Sequence, residues 1–200
     1  SYQVAFGSII EAHTPVRLMR DKRITWGSSA EVEKTSDGIV CGYVSGFLSQ
    51  RSPKILQKLS FPSLETARLQ EMKEKISKTS KEARGEDIRM LSGVPSYLIN
   101  LLEELRSEWK IENFAKVWPN LSTIIYSGTN IEPFKAQLLE LIGHPVQFIG
   151  AYISTEGPIG YEIPSVNRQQ NGVYAFHYED FVYGFRRVGG NGAILPIGKL

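Results

Sequence analysis

Two hundred residues, with 23 Lys and Arg against 21 Asp and Glu, suit one globular domain or a large piece of one. The charges are interspersed and sum to a formal +2, so composition gives no argument for a nucleic-acid or anionic-membrane partner. No apolar run approaches the length of a membrane span, and no secretory signal is visible.

The single cysteine, Cys41, excludes an intramolecular disulfide and is compatible with a reducing compartment, so a cytoplasmic protein with a buried, inert thiol is expected. Neither end reads as a polar terminus: Ser1 leads straight into Tyr2-Gln3-Val4-Ala5-Phe6, and Ala193–Ile197 runs into Gly198-Lys199-Leu200. The expectation is a fragment of a longer protein.

In chain order, Val4, Phe6, Ile9 and Ile10 can share one side of a helix over residues 1–12. Residues 20–60 are punctuated by Gly27, Gly38, Gly42 and Gly46, with short apolar pieces such as Ile39-Val40-Cys41 between them. From Ser63 to Arg84 the pattern predicts a helix with Leu69, Met72 and Ile76 on one stripe and Gly85 as its stop. Its glutamates make the charge-rich face a solvated one rather than a basic patch.

The rhythm then becomes regular. Ile88–Leu91 reads as a short strand, residues 92–95 (SGVP) as a turn, and Tyr97, Leu98, Leu101, Leu102 and Leu105 as one face of a helix opened by Pro95. A second short helix is expected over Phe114–Val117, closed by Pro119, and then a strand over Leu121–Tyr126. The turn Ser127-Gly128-Thr129-Asn130 leads to a helix over Glu132–Ile142 stopped by Gly143, and to a strand over Val146–Ile153. Stretches 173–178, 181–188 and 193–197 look like consecutive strands.

This order predicts an α/β domain: a mostly parallel sheet flanked by helices, with an antiparallel extension at the C-terminal end. Its expected divisions are an irregular lead-in over 1–60, a βαβ core over 61–157 and antiparallel strands over 158–200.

In open α/β sheets ligands collect outside the carboxyl ends of the strands. Three turns fall at such ends, at residues 92–95, 127–130 and 154–157. Ser154-Thr155-Glu156-Gly157 closes an apolar strand with two hydroxyls, a carboxylate and a glycine. On local evidence this is either a plain polar turn or a phosphate and metal site. Hydroxyls donate to phosphate oxygens, a carboxylate can hold Mg²⁺, and Tyr152 offers an aromatic face for a base. Taken alone, Tyr152 reads more naturally as a core tyrosine, and residues 127–130 lack the spacing of a phosphate-binding P-loop. His13, His144 and His177 show no metal-ligand spacing. No nucleophile or paired-carboxylate motif stands out, and no catalytic residue is assigned.

Four motifs recur together in order: Gly93-Val94-Pro95-Ser96-Tyr97, Trp118-Pro119-Asn120-Leu121, Ser127-Gly128-Thr129 and Tyr152-Ile153-Ser154-Thr155-Glu156-Gly157. Together they resemble the auxin-responsive-promoter (Gretchen Hagen three) family of acyl-acid amido synthetases, within the adenylate-forming superfamily that includes firefly luciferase. The resemblance spans about residues 20–190. It implies the central part of a large adenylate-forming domain, and a ligase that uses ATP and Mg²⁺ to activate a small carboxylic acid for transfer to an amino acid or other amine.

Carried over by position, the nucleotide set is Ser127, Gly128, Thr129, Asn130, Tyr152, Ser154, Thr155 and Glu156. Tyr152 packs on adenine, Thr155 bonds the α-phosphate and Glu156 ligates Mg²⁺. Leu91, Val94 and Tyr97 lie near the acyl group. Tyr97 departs from the family's usual tryptophan, and Ser127 from a second glycine. The superfamily's Ser/Thr/Gly-rich phosphate loop is absent from residues 1–30, and its ribose-gripping element and small C-terminal domain are expected after residue 200. The chain alone is therefore expected to have little or no activity. The competing readings are an acyl-CoA or acyl-thioester synthetase and a non-catalytic nucleotide-binding or degenerate module.

Overall fold

The computed structural model describes residues 10–27, 31–154, 157–163, 174–176, 182–186, 189 and 194–196. The strands in chain order are β1 (Lys22–Trp26), β2 (Glu33–Lys34), β3 (Val40–Cys41), β4 (Ser60–Phe61), β5 (Ile88–Gly93), β6 (Thr123–Tyr126), β7 (Gln147–Ser154), β8 (Gly157–Glu162), β9 (Tyr174–Phe176), β10 (Gly184–Phe185) and β11 (Leu195–Pro196). The helices are α1 (Val44–Arg51), α2 (Lys54–Lys58), α3 (Leu64–Ala67), α4 (Met72–Ala83), α5 (Pro95–Trp109) and α6 (Glu132–Ile142). Residues 10–13 form a further helical turn, and the expected helix before it lies outside the described residues.

Seven strands form one sheet in the order β4-β1-β5-β6-β7-β8-β9. The first five pair in parallel, and β7-β8 and β8-β9 pair antiparallel. The sheet is thus mostly parallel, flanked by helices, with the antiparallel extension that the chain order predicts. β2-β3 and β10-β11 are separate two-stranded pairs. Among the described residues no helix is long and apolar enough to cross a membrane.

Helix α5 forms where the leucine spacing places it. Pro95 opens it at a position that needs no N–H, and its Leu98, Leu101, Leu102 and Leu105 are fully buried. They meet Ile24, Leu91 and Ile124 from the sheet and Leu138, Leu141 and Ile142 from α6 in one core. On the other face of the sheet a smaller cluster joins Ile10 and Val16 to Met90, Ile125 and Ala151. Parallel strands buried on both faces read as unbroken apolar runs, as Thr123–Tyr126 does, buried at every position.

The structure departs from the sequence pattern in several places. The single helix expected over Ser63–Arg84 is two, because Ser63 caps α3 and Glu71 caps α4. The Glu82 carboxylate on α4 ties the two together, accepting hydrogen bonds from the Ser63 amide (2.6 Å) and the Ser63 hydroxyl (2.8 Å).

Helix α4 buries Lys75, Thr79, Ser80 and Ala83; of the expected stripe Ile76 packs half-buried against the core and Leu69 is half-buried before the helix, but Met72 is exposed. Lys75 tolerates burial because its ammonium donates to the Gly27 carbonyl (2.7 Å) and lies over the Trp26 ring. Burial holds that ammonium below the usual lysine range.

Phe114–Val117 is one turn, not a helix, pinned by the Trp118 amide on the Phe114 carbonyl (2.8 Å). Phe114 stacks on Trp118, and Trp109 meets both edge-on. The Leu121 strand begins two residues later, at Thr123. Cys41 is exposed: among the described residues β3 pairs with β2 alone, and both strands are exposed. The lead-in supplies β1, an interior strand between β4 and β5, and Ile24 on it is fully buried.

Leu102→Ala removes a fully buried side chain and is expected to cost about 2–5 kcal/mol. Met72→Ala, on the exposed face, is expected to stay within about 0.5 kcal/mol. Urea-unfolding midpoints of the two variants check this; equal losses would restore Met72 to the core stripe.

Candidate functional site

β6 ends at Tyr126, but β7 runs on to Ser154. β7 pairs with β6 through residues 147–150 and with β8 through residues 151–154. The second half of β7 therefore overhangs the end of β6. Between that overhang and the turn after β6 lies a pocket of about 920 Å³. Ser127, Gly128, Thr129 and Asn130 form one wall, and Tyr152 and Ile153 another.

The turn is built by short-range chemistry. Gly128 sits at φ +84°, a left-handed conformation that other residues rarely adopt, so the chain can reverse there. The Asn130 side-chain oxygen accepts from the Glu132 amide (3.1 Å), which starts α6 without a bond from the capping residue itself. Gly128, Thr129 and Asn130 are exposed and Ser127 is half-buried. Tyr152, expected in the core on local evidence, is 54% exposed and lines the pocket.

Strand register assembles the floor. Residues directly opposite each other across a sheet share a face. Tyr126 faces Gly150, and Glu162 faces Tyr174; extending the β7-β8 register by one step puts Glu162 beside Gly150. The row Tyr126, Gly150, Glu162, Tyr174 thus crosses four strands. The next row is Tyr152, Gly160, Phe176.

In the first row the Glu162 carboxylate accepts from the Tyr126 hydroxyl (3.0 Å) and from the Gly150 amide (2.9 Å). Burial first, then the Glu162 charge and the neighbouring Tyr174, push the Tyr126 phenol well above its ordinary value of 10.0. Gly150 makes this packing possible. A Cβ there would come 2.5 Å from the Tyr174 hydroxyl and 3.1 Å from the Glu162 carboxylate.

Lys135 closes the α6 side, pairing with Glu132 (3.6 Å) and lying over the Phe148 ring. The pocket therefore combines flat aromatic faces, a hydrogen-bonded carboxylate in its floor, and a hydroxyl-bearing turn at its rim. Such a lining suits a planar heteroaromatic group with polar substituents.

Of the residues expected to bind nucleotide, the structure brings Ser127, Gly128, Thr129, Asn130 and Tyr152 to one pocket. Ser154 ends β7, half-buried and opposite Gly157. Thr155 and Glu156 lie outside the described residues, as does His177. The three acyl-side residues do not line the pocket. Leu91 is fully buried in the main core; Val94 is half-buried with its side chain at Gly128; Tyr97 is half exposed.

Tyr126, Lys135, Phe148, Glu162 and Tyr174 were not singled out from sequence. One signal for Glu162 was present, a carboxylate in phase with Gly160 in a short alternating stretch. Its closeness to Tyr126 depends on register and is not local.

No protein-family model matches the chain, and no curated protein sequence does. Among solved structures the chain is similar over its whole length to GH3.15 acyl acid amido synthetase, with a TM-score of 0.75 and 12% identity. It spans 45% of that synthetase's length. At that identity the likeness establishes a shared fold, the one implied by the motif resemblance. More distant are an open conformation of 2-hydroxyisobutyryl-CoA ligase in complex with 2-HIB-AMP and CoA (TM-score 0.49, 16% identity, 91% of this chain and 39% of that one) and the Vibrio cholerae adenylation domain AlmE in complex with glycyl-adenosine-5'-phosphate (TM-score 0.41, 14% identity, 83% and 27%).

Gly150→Ala is expected to displace the Tyr126–Glu162 contact and cost about 1–3 kcal/mol by overpacking. A midpoint unchanged from the parent in urea unfolding would contradict that packing. The raised Tyr126 phenol also makes stability depend on pH. The unfolded chain ionises this tyrosine near 10.0 while the folded chain holds its proton. The contribution is complete below that pH and is lost progressively above it. Between about pH 9 and about pH 11 the parent should lose stability relative to Tyr126→Phe; parallel stability curves would count against the shift.

Proposed function

We propose that the intact protein is an ATP-dependent ligase that activates a small carboxylic acid as its acyl-adenylate and transfers the acyl group to an amine, typically an amino acid. The observation that carries this reading is the pocket between residues 127–130 and Tyr152. It gathers, at the carboxyl ends of two neighbouring parallel strands, the motifs that the resemblance assigns to adenine. The shared fold with an acyl acid amido synthetase supports it.

In this reading the adenine ring lies against Tyr152, with the 127–130 turn along its border and toward the acyl carboxylate. Thr155 donates its hydroxyl proton to an α-phosphate oxygen. A carboxylate oxygen of the acid attacks the α-phosphorus and pyrophosphate leaves. The amine then attacks the acyl carbon and AMP leaves. Donors held in place before reaction stabilise the charge that builds on the phosphate.

Mg²⁺, when bound, neutralises phosphate charge, and Glu156 would hold it. A single carboxylate suits an ion that keeps phosphate oxygens and water as its other ligands. Among the described residues no group of three or more His, Cys, Asp or Glu forms a metal cage; Glu156 lies outside them. In this reading Val94 and Tyr97 lie near the acyl group, while Leu91 is fully buried.

The test is acid-dependent exchange of pyrophosphate into ATP by the intact protein, across a panel of carboxylic acids. Exchange is expected for at least one acid. Glu156→Ala should lower it by about 10²-fold or more, and Tyr152→Ala should raise the KM for ATP about tenfold. Full exchange by Glu156→Ala would sink the metal role, and no exchange with any acid would sink the ligase. Product analysis with amino acids against CoA separates amide from thioester synthesis.

A further inference from the structure

We propose that Lys75 is a positioning residue for the acid: its buried ammonium fixes the carboxyl end of β1, and that end in turn sets the 127–130 turn. The inference rests on the ligase reading above and adds to it a residue outside the pocket.

Lys75 is an unexpected occupant of its place. It is 3% exposed on α4, and its ammonium has the Gly27 carbonyl at 2.7 Å and the Trp26 ring at 5.0 Å. Burial alone holds it below the usual lysine range, with no carboxylate acting on it among the described residues. A cation buried without a counter-ion costs stability, and an apolar side chain of similar length would fill the space at less cost. What an apolar side chain cannot do is hold a carbonyl.

That carbonyl stands where the sheet stops holding the chain. The β1–β5 ladder ends at Trp26 opposite Gly93, and Gly27 is the next residue. Its surroundings are tight. A Cβ on Gly27 would lie 3.2 Å from Ser45 Oγ at the start of α1, and a Cβ on Gly93 would lie 2.6 Å from the Trp26 carbonyl. After Gly93, Val94 leads into α5, and a Cβ on Gly128 would lie 3.5 Å from its Cγ2.

Three joints thus run along the carboxyl edge: Lys75 to β1, β1 to β5, and β5 to the turn after β6. The last two are made at glycines, where backbone meets its neighbour with no flexible side chain of its own to absorb a shift. Close-packed contacts of this kind pass a displacement on. The line reaches Gly128 from the β5 side, while Tyr152 stands on another wall of the pocket, on β7. Loss of Lys75 therefore displaces the part of the turn toward the acid and leaves the aromatic wall in place.

The experiment compares the intact parent with Lys75→Met and Lys75→Arg in acid-dependent pyrophosphate exchange, urea unfolding and NMR of isotope-labelled glycine. Lys75→Met removes the donor at similar length. It should raise the KM for the acid about tenfold, with the KM for ATP and kcat within about threefold of the parent. Its urea midpoint should not fall, because the buried charge leaves with the tether. Lys75→Arg can still donate to the carbonyl and lie over the indole, and should keep the acid KM within about threefold of the parent. In the spectra of Lys75→Met the Gly27, Gly93 and Gly128 resonances should move, and those of Gly143 and Gly150 should not.

An unchanged acid KM in Lys75→Met overturns the proposal. A joint fall of kcat and midpoint at constant acid KM does so as well, since that is what a purely structural residue gives. Failure of Lys75→Met to fold overturns it too, as does a Lys75→Arg enzyme with the acid KM of Lys75→Met. If no acid supports exchange, the ligase reading fails and the glycine resonances decide alone. An unmoved Gly128 then overturns the positioning, and a moved Gly128 with unmoved Gly150 upholds the link from Lys75 to the turn without the ligase.

Discussion

The missing side chain at Gly150 is the constraint on which the candidate site depends. Three side chains from three different strands converge above its Cα, and a single methyl group there would come within 2.5 Å of one of them. The strand register delivers Tyr126 to one side of it and Glu162 to the other. A carboxylate left in a largely apolar floor without donors would be costly. Here a phenol and a backbone amide donate to it and hold it in place.

That arrangement needs the change of strand direction at β7. A wholly parallel sheet would send the chain over a helix after β7 and bring back a strand with no reason to face Gly150. Instead β8 returns antiparallel, and one long strand serves two partners, β6 along its first half and β8 along its second. The overhang leaves a notch beyond the end of β6, and the 127–130 turn closes it. The pocket is a consequence of unequal strand lengths at the carboxyl edge, which is where open α/β sheets generally hold their ligands.

Not every motif behind the resemblance belongs to this notch. Trp118 of the W-P-N element is fully buried and stacks on Phe114 at 4.4 Å, with Trp109 against both. Pro95 starts α5, and Leu98 on that helix is fully buried over Gly93. These residues position β5, β6 and α5; they hold the scaffold rather than touch a ligand. The turn at 127–130 and Tyr152 are the two elements of the pattern that the structure places at the pocket.

The sequence by itself determined the parallel core. Leucines at helical spacing, unbroken apolar strands and turn residues at their ends are local signals, and α5, α6, β5, β6 and β7 formed within a few residues of where they indicate. Only the tertiary structure decided the rest. Lys75 reads as a solvated charge until a carbonyl and an indole from β1 and its following residue come to meet it. Leu91 reads as a pocket residue until α5 covers it. Cys41 reads as core, but among the described residues β3 has β2 alone beside it and the thiol is exposed. Glu162 and Tyr126 stand 36 residues apart in the chain and 3.0 Å apart in space. Their meeting is set by pairing across three strands, and pairing between distant segments is not written in the pattern of either one.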